Sequence, residues 1–246
     1  SYKRKNQCIN KKTKKIIKAI IVVHAYGYPA DLPSIIKVCK KYNISIIEDA
    51  AGALGSFLNK KHLGTFSRFG TLSFNGNKTI TTGMGGAIIT KYKKDYEKLN
   101  HLVSTARVTH NWSIKHDAVG FNLRMANINA ALGYAQIKNI KNTLKDKNRL
   151  HNLYLSKFVN NEFCKLLPNI KGANPNFWLT NIFLNEPYKN YQQKLIKILH
   201  KNKIFVRELW TPQHLLPMYR QNPKSDLTNA IKHWKTGISL PSSYYK

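Results

Sequence analysis

The chain has 246 residues, 42% hydrophobic and 21% charged, and its 41 Lys and Arg against 11 Asp and Glu give a formal charge of +30. That hydrophobic content excludes a disordered chain, and no apolar run approaches the roughly 20 residues of a membrane helix. The 3 cysteines (Cys8, Cys39, Cys164) lie far apart with no CxxC pair, which argues against a disulfide framework or a cysteine zinc site and points to a reducing compartment, the cytoplasm.

In chain order, Lys3–Lys18 is a dense basic stretch, but it lacks the interleaved aromatics of a single-strand platform. The other lysines are dispersed. An excess of Lys, Asn and Ile is what A- and T-rich codons produce, so the charge alone is a weak sign of nucleic-acid or acidic-membrane binding. Basic residues before an apolar stretch imitate a signal peptide, but Lys18 breaks the run and no small-residue cleavage pattern follows.

Residues 16–23 (IIKAIIVV) predict a buried strand, and His24–Pro29 a loop. Asp31 is placed to cap a helix whose apolar face is Ile35, Ile36, Val38 and Cys39. Ile44–Ile47 predicts a second strand, ending abruptly in Glu48-Asp49. Strand, helix, strand at this spacing is a βαβ unit of a parallel sheet, in which ligands sit at the carboxyl ends of the strands. Strands follow at 70–74 (GTLSF) and 87–90 (AIIT), separated by a polar loop over 75–82 and a glycine-rich turn over 83–86. The pattern then predicts a helix over 92–104, an irregular stretch over 107–124, and a long helix from Asn127 to about Phe158. A strand at 177–184, a helix at 191–202 and a strand at 204–210 make a separate α+β pattern. The expected organisation is a large α/β domain over 1–140 with a mixed or parallel sheet, and a small C-terminal α+β domain over 141–246.

Three constellations carry chemistry. The strand-end acids Glu48 and Asp49 could hold a cationic ring nitrogen, cap a helix or sit in solvent. Ser73-Phe74-Asn75-Gly76-Asn77-Lys78 places a lysine between a strand and Gly83–Gly86, where backbone can approach a ligand closely. A lysine for a Schiff base, an acid for a pyridinium nitrogen and a serine for a phosphate match what pyridoxal phosphate needs. The third, Gly120–Ala131, sets Asn122, Arg124 and Asn127 before an Ala-rich helix, as a cap or as a reach toward a phosphate. No GxxxxGK[ST], GxGxxG, HExxH or GxSxG is present, and no metal is expected.

VVHAYGYPADL (22–32), IIEDAAGALGS (46–56), FGTLSFNGNKTITTGMGGAIIT (69–90) and GFNLRMANINAALGYAQI (120–137), with LPMY (216–219) and SLPSS (239–243), together resemble the DegT/StrS type of nucleotide-sugar aminotransferases. The resemblance implies a pyridoxal-phosphate-dependent transferase of fold type I. By it, Lys78 is the Schiff-base lysine and the proton carrier of the 1,3-shift, Asp49 pairs the pyridine nitrogen, and Ser73 binds the cofactor phosphate. Asn122 would reach the cofactor of a neighbouring subunit, making the active site a property of a homodimer, with Arg124 a weaker candidate. A lysine where related dehydratases carry histidine favours transamination, with glutamate as donor. The FNGNK and TTG pieces look like the subgroup acting on 4-keto-6-deoxy sugars for surface glycans. Gly52 departs from the pattern, standing where family members often carry a side chain that stacks on the cofactor ring. The family's chain normally begins further upstream, with a loop that holds the phosphate, so this chain is expected to be N-terminally incomplete. The alternatives are a non-catalytic protein of the same fold and a basic nucleic-acid-binding protein.

Overall fold

The computed structural model describes residues 1–4, 7–168 and 170–243. Lys5 and Asn6 of the basic Lys3–Lys18 stretch lie outside these. Among the described residues no helix is long and apolar enough to cross a membrane.

Strands β1 (Tyr2–Arg4), β2 (Gln7–Ile9) and β3 (Ile16–Ile17) form an antiparallel meander. The single strand expected over 16–23 is therefore broken at Lys18. Its second piece, β4 (Ala19–Val23), pairs in parallel with β5 (Ser45–Asp49). Full burial of this run is also not observed: β4 is an edge strand with one neighbour, Val22 is buried, and Ile21 is 64% exposed. Between them, α1 (Leu32–Tyr42) starts as expected, with the Asp31 carboxylate accepting the Ser34 N–H at 3.3 Å, and stops at Asn43 in the left-handed region. Leu32 and Cys39 are buried on one stripe, whereas Val38 falls off that stripe and is exposed.

A hairpin of β6 (Phe57–Leu58) and β7 (Lys61–His62) precedes β8 (Phe69–Ser73) and β9 (Gly86–Thr90). The central sheet runs β4-β5-β8-β9, parallel except for the antiparallel last pair. Its core gathers Val22, Leu32, Ala50, Ala53, Leu58 and Leu63. Helix α2 (Lys93–Val103) follows, and the stretch expected to be irregular contains a short ladder of β10 (Arg107–Val108) and β11 (Lys115–His116).

The long helix expected over 127–158 is two helices, α3 (Asn127–Lys138) and α4 (Ile140–Phe158). The break is Asn139, whose N–H reaches back to Gln136 and Ile137 while its side-chain oxygen accepts from Asn142 Nδ2 at 2.6 Å. An asparagine that bonds locally in this way competes with helix continuation. Asn127, considered above as a cap, is the first helical residue; Ala126 holds the cap position.

Beyond α4 come β12 (Cys164–Leu166), β13 (Ala173–Asn174), β14 (Asn181–Leu184), α5 (Gln192–Lys201), β15 (Arg207–Glu208), α6 (Thr228–Thr236) and β16 (Gly237–Ser239). An antiparallel sheet β12-β14-β16-β15 packs Leu166, Ile182, Leu184, Val206 and Ile238 against Tyr154 of α4 and Leu195 of α5. The strand expected at 177–184 is shortened to β14 because Phe177 takes φ 48 and the chain bends at Trp178-Leu179. Strand β13 returns to pair with β6. The strand expected at 204–210 is reduced to Arg207–Glu208, paired with β16.

Candidate active site

Successive strand residues point to opposite faces, and this divides the two acids at the end of β5. Glu48 turns inward and is fully buried. Its carboxylate accepts the Gly64 N–H at 2.7 Å, the Ser67 N–H at 2.7 Å and the Ser67 hydroxyl at 2.8 Å, and lies 3.2 Å from His24 Nε2. Because His24 Nδ1 accepts the Ala30 N–H at 3.2 Å, Nε2 carries the proton given to Glu48. Burial works to raise the Glu48 pKa, but the bonds from His24, Ser67 and Gly64 together outweigh it and hold the group down at about 2. Glu48 takes none of the three roles considered for it: it is a buried anchor behind the strand end, bonded to His24, Gly64 and Ser67.

Asp49 is half-buried, with its Oδ1 accepting the Ala51 N–H at 3.0 Å. Its charge is felt at Lys78, in the loop that leaves β8. In that loop the Lys78 N–H donates to the Asn75 carbonyl at 3.0 Å, and the Thr82 N–H returns to the Phe74 carbonyl at 2.9 Å. Two side chains of α3 fasten it from outside: Gln136 brackets Thr81, accepting its N–H at 3.1 Å and donating to its carbonyl at 2.6 Å, and Asn129 donates to the Thr82 carbonyl at 2.6 Å. Gly83 (φ 79) and Gly85 (φ 125) supply the left-handed backbone that turns the chain into β9.

The Lys78 ammonium sits 3.7 Å from the centre of the Trp178 ring. Burial pushes its pKa down, and the negative charge of Asp49 pulls it back up. The amine and the acid singled out in the sequence are thus within electrostatic reach of each other. Ser73, the last residue of β8, is half-buried, and its hydroxyl accepts the Asn75 N–H at 3.3 Å. Asn122 is exposed and bridges Ser104 through its backbone, away from the residues that line the cleft at Lys78; Arg124 is exposed as well.

That cleft, about 820 Å³, is lined by Lys78, Tyr26, Trp178, Lys147, Arg207 and Trp210, among others. Tyr26 and Trp210 stack at 4.6 Å, and the Tyr26 hydroxyl accepts the Trp210 N–H. Its far wall therefore comes from the second half of the chain, which the sequence reading had not connected to the site.

The connection runs through Asn176-Phe177-Trp178. Buried Asn176 places its Nδ2 2.9 Å from the Gly52 carbonyl, 2.9 Å from that of Leu54 and 3.1 Å from the Thr79 hydroxyl, while its Oδ1 accepts the Trp178 N–H at 2.9 Å. The Asn176 N–H goes to Ser56 Oγ, which in turn donates to the Gly27 carbonyl. One residue thereby ties the loops after β4, β5 and β8. The signal in the sequence was an amide and an indole at the start of a run that otherwise reads as strand.

An amine-bearing loop and a strand-end acid at one edge of a mostly parallel α/β sheet, closed by a smaller antiparallel sheet, define the fold type I of pyridoxal-phosphate-dependent transferases. The chain belongs to the DegT/DnrJ/EryC1/StrS aminotransferase family, whose model matches residues 2–244. It is 35% identical over 239 residues to a GDP-perosamine synthase of Vibrio cholerae, covering 95% of this chain and 62% of that protein. It is 34% identical over 227 residues to a GDP-perosamine synthase of Escherichia coli O157:H7, covering 92% and 60%. Among solved structures it superposes with a TM-score of 0.87, at 28% identity, on PseC of Helicobacter pylori, an aminotransferase of pseudaminic acid biosynthesis, covering 95% of this chain and 62% of that one. The chain thus spans about three fifths of the length of the relatives it matches.

Proposed function

We propose that this chain carries the lysine-bearing part of a pyridoxal-phosphate-dependent enzyme that moves an amino group from an amino acid, glutamate in our reading, onto a nucleotide-linked 4-keto-6-deoxy sugar for surface glycan synthesis in the cytoplasm. The observation that carries the reading is that Lys78, which lines this cleft, feels the negative charge of Asp49 at the carboxyl end of the neighbouring strand β5. Membership of an aminotransferase family and the identity to two GDP-perosamine synthases support the substrate class.

The residues present fit the cofactor by their chemistry: a desolvated amine for its aldehyde, a carboxylate for its ring nitrogen and the Ser73 hydroxyl for its phosphate. When bound, pyridoxal phosphate supplies the carbonyl that accepts the amino group and the ring that draws electrons away from the reacting carbon. Lys78 Nζ is the group that would hold it and would afterwards take up and pass on a proton. Partial burial keeps a larger share of that nitrogen unprotonated and able to accept the proton. Asp49, whose Oδ1 accepts the Ala51 N–H, is the carboxylate that would pair with the ring nitrogen and keep it protonated. Lys147 and Arg207 give the cleft cations for donor carboxylates or for the diphosphate of a nucleotide sugar, and the Tyr26–Trp210 stack gives it an apolar wall.

Asn122, exposed and not among the residues that line this cleft, suits a reach into the site of a second subunit, so the active form is a homodimer with shared sites. The two alternatives are not favoured. A non-catalytic protein has no use for the paired amine and acid, and the match over residues 2–244 is to aminotransferases, not to a nucleic-acid-binding family.

Borohydride reduction of the cofactor-loaded protein should leave the pyridoxyl group on the Lys78 peptide. Recovery of the label on another lysine would overturn the assignment.

A further inference from the structure

Trp178 makes two contacts with the Lys78 segment and a third with Gly52. Its ring lies under the ammonium, with 3.7 Å from Nζ to the centroid. Its Nε1–H donates to the carbonyl of Asn77, the residue just before the lysine, at 2.6 Å. The indole rests directly on Gly52: a Cβ built there would come 2.3 Å from Trp178 Cε3 and 2.6 Å from Cζ3, distances no side chain tolerates. The residue is itself 3% exposed, and its backbone is fixed at both ends, its N–H by Asn176 Oδ1 and its carbonyl by Lys147 Nζ at 3.3 Å. A ring this constrained cannot drift from the amine above it.

We propose that Trp178 is the positioning residue of the Lys78 amine: the indole face holds the ammonium, the indole N–H fixes the backbone from which the lysine springs, and Gly52 is glycine in this chain because the indole occupies its side-chain space. A cation over an aromatic face is held by the ring quadrupole, most strongly by tryptophan and more strongly when desolvated. The contact therefore favours the protonated amine and opposes the effect of burial. Trp178 stores the amine in one place until a carbonyl arrives and tempers the loss of its charge. This inference draws its catalytic meaning from the reading of Lys78 as the cofactor lysine, but its test does not depend on that reading.

The test is competitive acetylation of the full chain without cofactor, with the Lys78 and Lys147 peptides quantified by mass spectrometry from pH 7 to pH 11. Lys147 donates to the Trp178 and Ser242 carbonyls, so an unchanged Lys147 profile reports that the segment has kept its place. The Lys78 midpoint should fall from wild type to Trp178→Phe by about half a pH unit and to Trp178→Leu by about one. Gly52→Ala, which adds a methyl group against the indole and none against the amine, should shift it in the same direction as Trp178→Leu. Equal Lys78 midpoints in wild type and Trp178→Phe would overturn the proposal, as would a rise in Trp178→Leu, which would make the indole a mere cover. Should Trp178→Leu fail to fold, the wild-type and Phe profiles decide. A borohydride label on some other lysine would sink the cofactor assignment while leaving the order of these midpoints standing.

Discussion

The Lys78 loop and the segment from 107 to 124 are both polar stretches that join regular elements, yet they are held in opposite ways. The Lys78 loop is bracketed by Asn129 and Gln136 of α3 on one side and by Asn176 and Trp178 on the other. The second segment is held by the short β10–β11 ladder, by backbone bonds and by side-chain contacts such as His101–Asp117 and His116 to the Thr105 carbonyl, all to partners nearby in the chain, and Trp112, Val119 and Leu123 stand 70% or more exposed. The difference lies in sequence-distant partners. An amine that must meet an acid on a neighbouring strand end needs its backbone fixed from several directions, and the chain recruits its second half to do it.

The largest effect expected on the fixed side of this comparison comes from Lys78→Ala. Removing the amine takes away both the covalent hold and the proton carrier, and the rate of amino transfer should drop on the order of 10^4-fold. The cofactor absorbance should no longer shift on addition of glutamate. Retention of that shift would mean that a different amine carries the chemistry.

Next comes Asn176→Ala. It strands the buried carbonyls of Gly52 and Leu54 and the Thr79 hydroxyl, and should destabilise the chain by about 3 kcal/mol, read as a lowered denaturant midpoint. If the hub carries the site as well as the fold, the Lys78 peptide should also gain reactivity toward acetylation. A loss below about 0.5 kcal/mol would show that the three loops hold themselves, and the contrast between the two regions would dissolve.

The framework of the site was legible and its bracing was not. Asp31 as a cap, the βαβ spacing and the strand-end acids all follow from residues close together in the chain, where periodicity and capping chemistry speak directly. Asn176 and Trp178 act across more than a hundred positions, and nothing local separates a strand residue from a turn residue whose amide serves other loops. The same limit explains the helix read through Asn139: its apolar periodicity continues, and only the asparagine's local bond shows the break. Glu48 and Asp49, adjacent in sequence, could not be told apart until strand alternation sent one to His24 and the other toward Lys78.

Glu48 gives a prediction of intermediate size that depends on pH. Its folded pKa of about 2 lies below the ordinary carboxylate value of 4.5. The folded state therefore holds fewer protons than the unfolded one between those values. The stabilisation is whole above about pH 4.5 and is lost as pH falls toward 2. Glu48→Gln should cost about 2 kcal/mol at pH 7, because an amide cannot accept from Gly64, Ser67 and His24 together. The gap between the two proteins should narrow as denaturation is repeated from pH 5 down to pH 3. A constant gap would place the titration elsewhere.

The smallest effect on the folded chain, and the sharpest test of the other region, is Leu123→Asp. The Leu123 side chain is exposed while its N–H is fixed to the Val103 carbonyl at 3.0 Å, so the loop's path does not depend on the leucyl group. Stability of the isolated chain should move by less than about 0.5 kcal/mol. If exposed Leu123 closes against a second copy, a buried carboxylate there meets no partner and self-association should weaken at least tenfold. Sedimentation velocity over a range of concentrations separates the two readouts. Wild type and variant sedimenting alike at every concentration would remove this face from any dimer, and with it the reach of neighbouring Asn122 into another subunit's site.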